Sequence, residues 1–111
     1  MMTGSEYQLL AARTINLGLA DWEIRNHALF GMSSEVGELH GIYQKNFQGH
    51  KPTEEHLKKE VGDLLWFIAE YCTIMGWCLS DIMQLNIDKL KARYPDGFEV
   101  ERSTNRKEGD I

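Results

Sequence analysis

Residues 33–41 read SSEVGELHG, and residues 58–66 read KKEVGDLLW. Each stretch sets two carboxylates three positions apart, Glu35 with Glu38 and Glu60 with Asp63, inside a longer segment whose apolar residues recur every three or four positions. From about His27 to Phe47 that stripe is Leu29, Met32, Val36, Leu39 and Tyr43; from about Glu54 to Met75 it is Leu57, Val61, Leu64, Ile68, Cys72 and Met75. Steps of three and four, with no alternation of two, predict two amphipathic helices. The connection QGHKPT, residues 48–53, supplies Gly49 as a helix stop, Pro52, and Thr53 as an N-cap. Glu54 and Glu55 then suit the positive end of the next helix dipole.

So short a connection forces the two helices antiparallel. At about 100° per residue, Glu35 and Glu38 lie roughly 70° and 130° to one side of the first stripe, and Glu60 and Asp63 roughly 80° and 140° to the same side of the second. Equal offsets on antiparallel helices fall on one flank of the pair. Heights match as well, because Glu38 precedes Gly49 by 11 residues and Glu60 follows it by 11. One ExxE alone is a common solvated helix face, but matched rotation and height predict four carboxylates converging on one flank. Their mutual repulsion calls for compensation. An oxygen-only ligand set without His or Cys favours a hard, partly hydrated ion, Mg²⁺ or Mn²⁺, over zinc.

Further along the chain the pattern stays helical. A first helix is predicted over residues 5–20, and a fourth from a Ser80 cap through Met83, Ile87 and Leu90 to Tyr94, closed by the turn chemistry of Tyr94-Pro95-Asp96-Gly97. Gly76 ends the third helix, and the polar residues from Glu99 onward read as loop. Four helices on short connections predict an all-α, four-helix bundle-like fold in one domain, residues 1–111, with its core over about 5–98 and a polar tail over 99–111. Trp66 lies opposite the third helix's stripe, on a face shared with Gly62, Ala69 and Thr73. A large aromatic there predicts a second buried face, covered by the first helix or by another subunit.

Composition narrows the function classes. With 42% hydrophobic and 26% charged residues and two prolines, the chain has the make-up of a folded globular protein. A net charge of −5 and the absence of any dense Lys/Arg cluster argue against a nucleic-acid polymer as partner. No apolar stretch reaches the length of a membrane span, and the start, MMTGSEYQ, lacks the order of a signal peptide, so a cytoplasmic protein is expected. Cys72 and Cys78 show no CxxC spacing and read as reduced core thiols, and the four histidines show no ligand spacing.

The fourth helix carries Asn86, Lys89 and Arg93 at i, i+3 and i+7, a polar stripe beside its apolar one. Basic residues near a carboxylate-bound cation suit a polyphosphate, although cations at a helix C-terminal end also serve the dipole. Taken together, S-E-V-G-E, E-V-G-D-L-L-W and N-I-D-K-L-K-A-R-Y-P-D-G-F resemble the MazG-like all-α nucleoside triphosphate pyrophosphohydrolases over about residues 27–106.

That resemblance implies Mg²⁺ held by Glu35, Glu38, Glu60 and Asp63, hydrolysis between the α and β phosphates, and a homodimer or homotetramer. The N-x-x-K-L-x-x-R-Y-P-x-G-F ending matches through Asn86, Lys89, Arg93 and Gly97, and implies triphosphate contact by Lys89 and Arg93. Many members carry EExxE, where this chain has Ser34, which leaves Glu38 as the candidate general base. Lys45, two turns beyond Glu38, is placed to reach an outer phosphate, and Trp22 and Phe67 to flank the base. A noncatalytic helical module that binds metal or nucleotide without turnover is the competing expectation.

Overall fold

The helices begin and end where local chemistry directs. Thr53 caps the third, its hydroxyl accepting the His56 N–H at 3.2 Å, and Gly76, at φ 73°, ends it. The computed structural model describes residues 1–111 and contains α1 (Gly4–Ala12), α2 (Asp21–Asn46), α3 (Glu54–Met75), α4 (Leu79–Arg93) and α5 (Val100–Thr104). There is no strand, only an isolated bridge between Pro95 and Gly97. The fold is all-α.

The boundaries depart from expectation at three places. The first helix stops at Ala12 rather than running to residue 20, and α2 begins at Asp21 rather than near His27. Side chains compete with the helix between them: the Thr14 hydroxyl donates to the Ala11 carbonyl at 2.8 Å, and Asn16 Oδ1 accepts the Gly18 N–H at 3.0 Å. Ser80 does not cap α4. Cys78 stands at the N-cap without a side-chain bond, while the Ser80 hydroxyl pairs with that of Ser5 at 2.8 Å. Within the tail, residues 100–104 form α5 instead of loop.

α2 and α3 form the dominant hairpin, drawn together where Gly31 of α2 meets the Phe67 ring of α3. A Cβ at residue 31 would overlap that ring. Beside it His27 Nδ1 bonds both carboxylate oxygens of Glu70 at 2.9 and 3.0 Å, satisfying a Glu that is only 2% exposed. α1 covers the opposite face of α3 through polar keys. Trp66 Nε1 donates to the Thr14 hydroxyl at 2.8 Å, so the second buried face foreseen around Trp66 is met by α1 and the turn after it. Gln8 donates to Thr73 Oγ1 and the Trp77 carbonyl and accepts the Leu79 N–H, bridging the break between α3 and α4. Gly62, on that same face, has open space beside it.

α4 packs chiefly on α1 through its first turns. Its stripe residues Met83, Ile87 and Leu90 remain 51%, 45% and 37% exposed. Only 7 of 111 residues are buried, and the radius of gyration is 17.4 Å, against about 13 Å for a compact 100-residue domain. Both thiols, Cys72 and Cys78, are free. No helix is long and apolar enough to cross a membrane.

The close approach at Gly31 yields a stability contrast. Gly31→Ala is expected to lower the urea midpoint, with overpacking costing about 1–3 kcal/mol. Gly41→Ala, where an added methyl meets nothing within 4 Å, is expected to raise it by the helix-propensity gain of about 0.5–1 kcal/mol. Equal effects in the two variants would contradict the Gly31–Phe67 contact as the helix-setting one.

Candidate metal centre

The antiparallel hairpin brings one oxygen each of Glu35, Glu60 and Asp63 within 4.8 Å of one another. Glu35 comes from α2 and the other two from successive turns of α3. Glu35 is half-buried, and its Oε2 is buried with no hydrogen-bond partner. A buried acceptor without a donor is costly. Its neighbours add to the cost: the Glu35 carboxyl is pushed up to about 7, first by the Glu60 carboxyl, with which a proton on Glu35 would be shared, then by burial, then by the charges of Glu60, Asp63 and Glu38. No ion pair with Lys or Arg touches the cluster. An orphaned oxygen among three converging carboxylates fits a hard divalent cation, whose charge and coordination would answer both deficits.

Glu38 stands apart from this triad. It is exposed, and it acts on Glu35 through its charge rather than by sharing the cluster. Of the four carboxylates expected to converge, the structure therefore groups three and leaves Glu38 at the rim. One further residue belongs to the arrangement: His56 Nε2 lies 3.2 Å from Glu60 Oε1. Its place four residues before Glu60, one helical turn, was a readable signal that a search for metal-ligand spacing passes over.

Tyr7 of α1 also reaches this flank. Burial and then the Asp63 charge raise its hydroxyl above the ordinary tyrosine value, and it lines an apolar cavity of about 420 Å³ with Leu65, Leu79 and Met83. Nothing in the spacing of residues 1–20 tied Tyr7 to Asp63.

The other expected site residues are distributed as follows. Lys45 lines a cavity of about 240 Å³ at the α2–α3 connection together with His50, Lys51 and His56, so His56 joins it to Glu60. Trp22 is 61% exposed at the start of α2. The Phe67 ring lies in the helix interface over Gly31, with centroids 5.1 Å from Trp66 and 5.5 Å from His27. Asn86 and Lys89 are exposed on α4. Arg93 is bonded to Asp110, with Nε to Oδ2 at 2.8 Å and Nη2 to Oδ1 at 2.7 Å. Within one chain, then, the basic stripe forms no ion pair with the acidic cluster.

Comparison with known proteins adds to this geometry. The family model described as the MazG nucleotide pyrophosphohydrolase domain matches residues 26–98. Over 109 residues the chain is 27% identical to the Gene 37 protein of Mycobacterium phage L5, covering 90% of this chain and 96% of that protein. No solved structure matches the chain. The matched span holds the α2–α3 hairpin from residue 26 onward, all four carboxylates and the Lys89–Arg93 stripe, while Tyr7, Trp22 and Asp110 fall outside it. The chain belongs to the MazG nucleotide pyrophosphohydrolase family.

Proposed function

We propose that this protein hydrolyses a nucleoside or deoxynucleoside triphosphate to the monophosphate and pyrophosphate in a Mg²⁺-dependent reaction, Mn²⁺ being the nearest substitute, as a housecleaning activity on the nucleotide pool. The observation that carries the reading is the convergence of Glu35, Glu60 and Asp63 inside the family-matched hairpin, with Oε2 of Glu35 buried and without a partner.

What a divalent cation supplies at these three carboxylates is polarisation of the phosphoryl oxygens and neutralisation of the charge that develops on them. His56 holds the Glu60 carboxylate in one orientation. Glu38, at the rim and outside the ligand triad, takes a proton from the attacking water. The water oxygen bonds to the α-phosphorus, the bond from that phosphorus to the bridging oxygen breaks, and its electron pair leaves with pyrophosphate. Lys45, at the cationic cavity beside His56, contacts an outer phosphate. Asn86, Lys89 and Arg93 line the phosphate path from α4, and Trp22 offers its exposed ring to the base while Phe67 supports the wall from its place over Gly31.

Assembly is part of the proposal. The exposed stripe of α4 and the radius of 17.4 Å support a homodimer or homotetramer in which a second copy covers apolar surface and brings basic residues toward the acidic cluster. Sedimentation at micromolar concentration is expected to give a multiple of 12.8 kDa; a persistent 12.8 kDa species would contradict assembly.

Activity is tested by pyrophosphate release from a panel of ribo, deoxy and modified triphosphates with Mg²⁺. Glu38→Gln is expected to lower kcat by about 10²–10⁴ with little change in the Mg²⁺ requirement, whereas Glu60→Gln is expected to raise the Mg²⁺ concentration needed. No pyrophosphate from any member of the panel would leave a noncatalytic metal- or nucleotide-binding module.

The Glu35 carboxyl gives a pH prediction with a defined sign. Its folded value, about 7, lies above the ordinary 4.5, so between those values the native state holds more protons than the unfolded chain and stability falls as pH rises. Bound Mg²⁺ removes this penalty. The Mg²⁺-induced rise in Tm is therefore expected to be small near about pH 5 and larger near about pH 8; equal rises at both pH values would contradict cation binding at Glu35.

A further inference from the structure

The C-terminal segment turns back on α4. After α5, Gly109 at φ 86°, a backbone region that favours glycine, reverses the chain, and the Asp110 N–H donates to the Lys107 carbonyl at 3.0 Å. The Asp110 carboxylate then sits in the fork of Arg93, 17 positions upstream, with both contacts under 3 Å and the Arg93 side chain only 8% exposed. Around it is a cavity of about 140 Å³ lined by Arg93, Arg102, Asn105, Arg106, Lys107 and Asp110, with Lys89 close enough to act on the same carboxylate. Four cations therefore line a cavity whose one acidic residue is Asp110, Lys89 adds its charge from α4, and Arg102 is also paired with Glu99. This is a local reversal of sign in a chain of net charge −5.

We propose that this cavity is an anion site for oligophosphates, built by Arg93, Arg102, Arg106 and Lys107, and that the Asp110 carboxylate is a tethered competitor that must leave before phosphate enters. A bidentate guanidinium fork accepts carboxylate and phosphate oxygens in the same geometry. A carboxylate brings one negative charge, and pyrophosphate brings several, so the surplus of cations favours the exchange. Gly109 is the pivot, and the neighbouring Ile111 is 90% exposed. The family-matched span ends at residue 98, so Asp110 lies outside it.

The inference rests on Arg93 as a phosphate contact, and its test is kept free of turnover. Inorganic pyrophosphate is titrated calorimetrically into the 111-residue protein in metal-free buffer. Removing a tethered competitor of millimolar effective concentration, Asp110→Asn is expected to bind pyrophosphate about tenfold more tightly, about 1.4 kcal/mol. Asp110→Glu keeps the competing carboxylate and is expected to match the unaltered protein. Gly109→Val strains the reversal while keeping the carboxylate, and is expected to tighten binding too. Unchanged, weaker or undetectable binding in Asp110→Asn, or its failure to fold, would make the Arg93–Asp110 pair a structural clamp and overturn the proposal. Triphosphate hydrolysis persisting alongside that result would leave the reading built on Glu35, Glu60 and Asp63 intact.

Discussion

The contact between Gly31 and the Phe67 ring sets the spacing of α2 and α3, and everything at the carboxylate cluster depends on that spacing. Glu35 lies one turn beyond Gly31 along α2, and Asp63 one turn before Phe67 along α3. Where the ring and the bare backbone meet, the flanking turns have little freedom to slide, because close-packed interiors transmit even a methylene's displacement. The His27–Glu70 pair on the same interface adds a second, polar register mark. Steric and polar marks together hold α2 against α3 at one height.

Holding acidic groups close is an electrostatic cost that the rest of the hairpin must offset. Part of that offset comes from regular helix chemistry: Thr53 caps α3, and Lys58 and Lys59 pair with Glu54 and Glu55 one turn away. These exposed pairs are each worth about 0.3–0.5 kcal/mol, too little to neutralise a half-buried carboxyl cluster. Glu35 responds by holding its proton more tightly. A perturbed carboxyl with one of its own oxygens buried and unpaired is the kind of local cost that a functional site retains.

Much of this was legible in the chain because helical periodicity is a local signal. The two stripes, the Gly49–Thr53 connection and the equal offsets of the acidic pairs led directly to the hairpin and to all three clustered carboxylates, with Glu38 expected among them and standing at the rim instead. Three features were not legible. The early end of α1 depends on Thr14 and Asn16 bonding their own backbone, a choice that periodicity does not register. The place of Tyr7 depends on how α1 crosses α3, a tertiary matter with no spacing rule. The pairing of Arg93 with Asp110 spans 17 positions and passes through a turn at Gly109 in a stretch that read as loop. His56 was within reach, since its partner Glu60 is one helical turn away.

The scarcity of interior has a consequence for how the chain lives in solution. Where a lone copy encloses only seven residues, the assembly proposed above would draw much of the free energy that holds the helices in place from surfaces between copies. In that assembly folding would be a reaction whose order in protein exceeds one, and the midpoint of thermal or chemical unfolding would climb with the amount of chain present. Dilution would act on such an assembly as a denaturant does, which would couple the supply of folded protein to its own abundance.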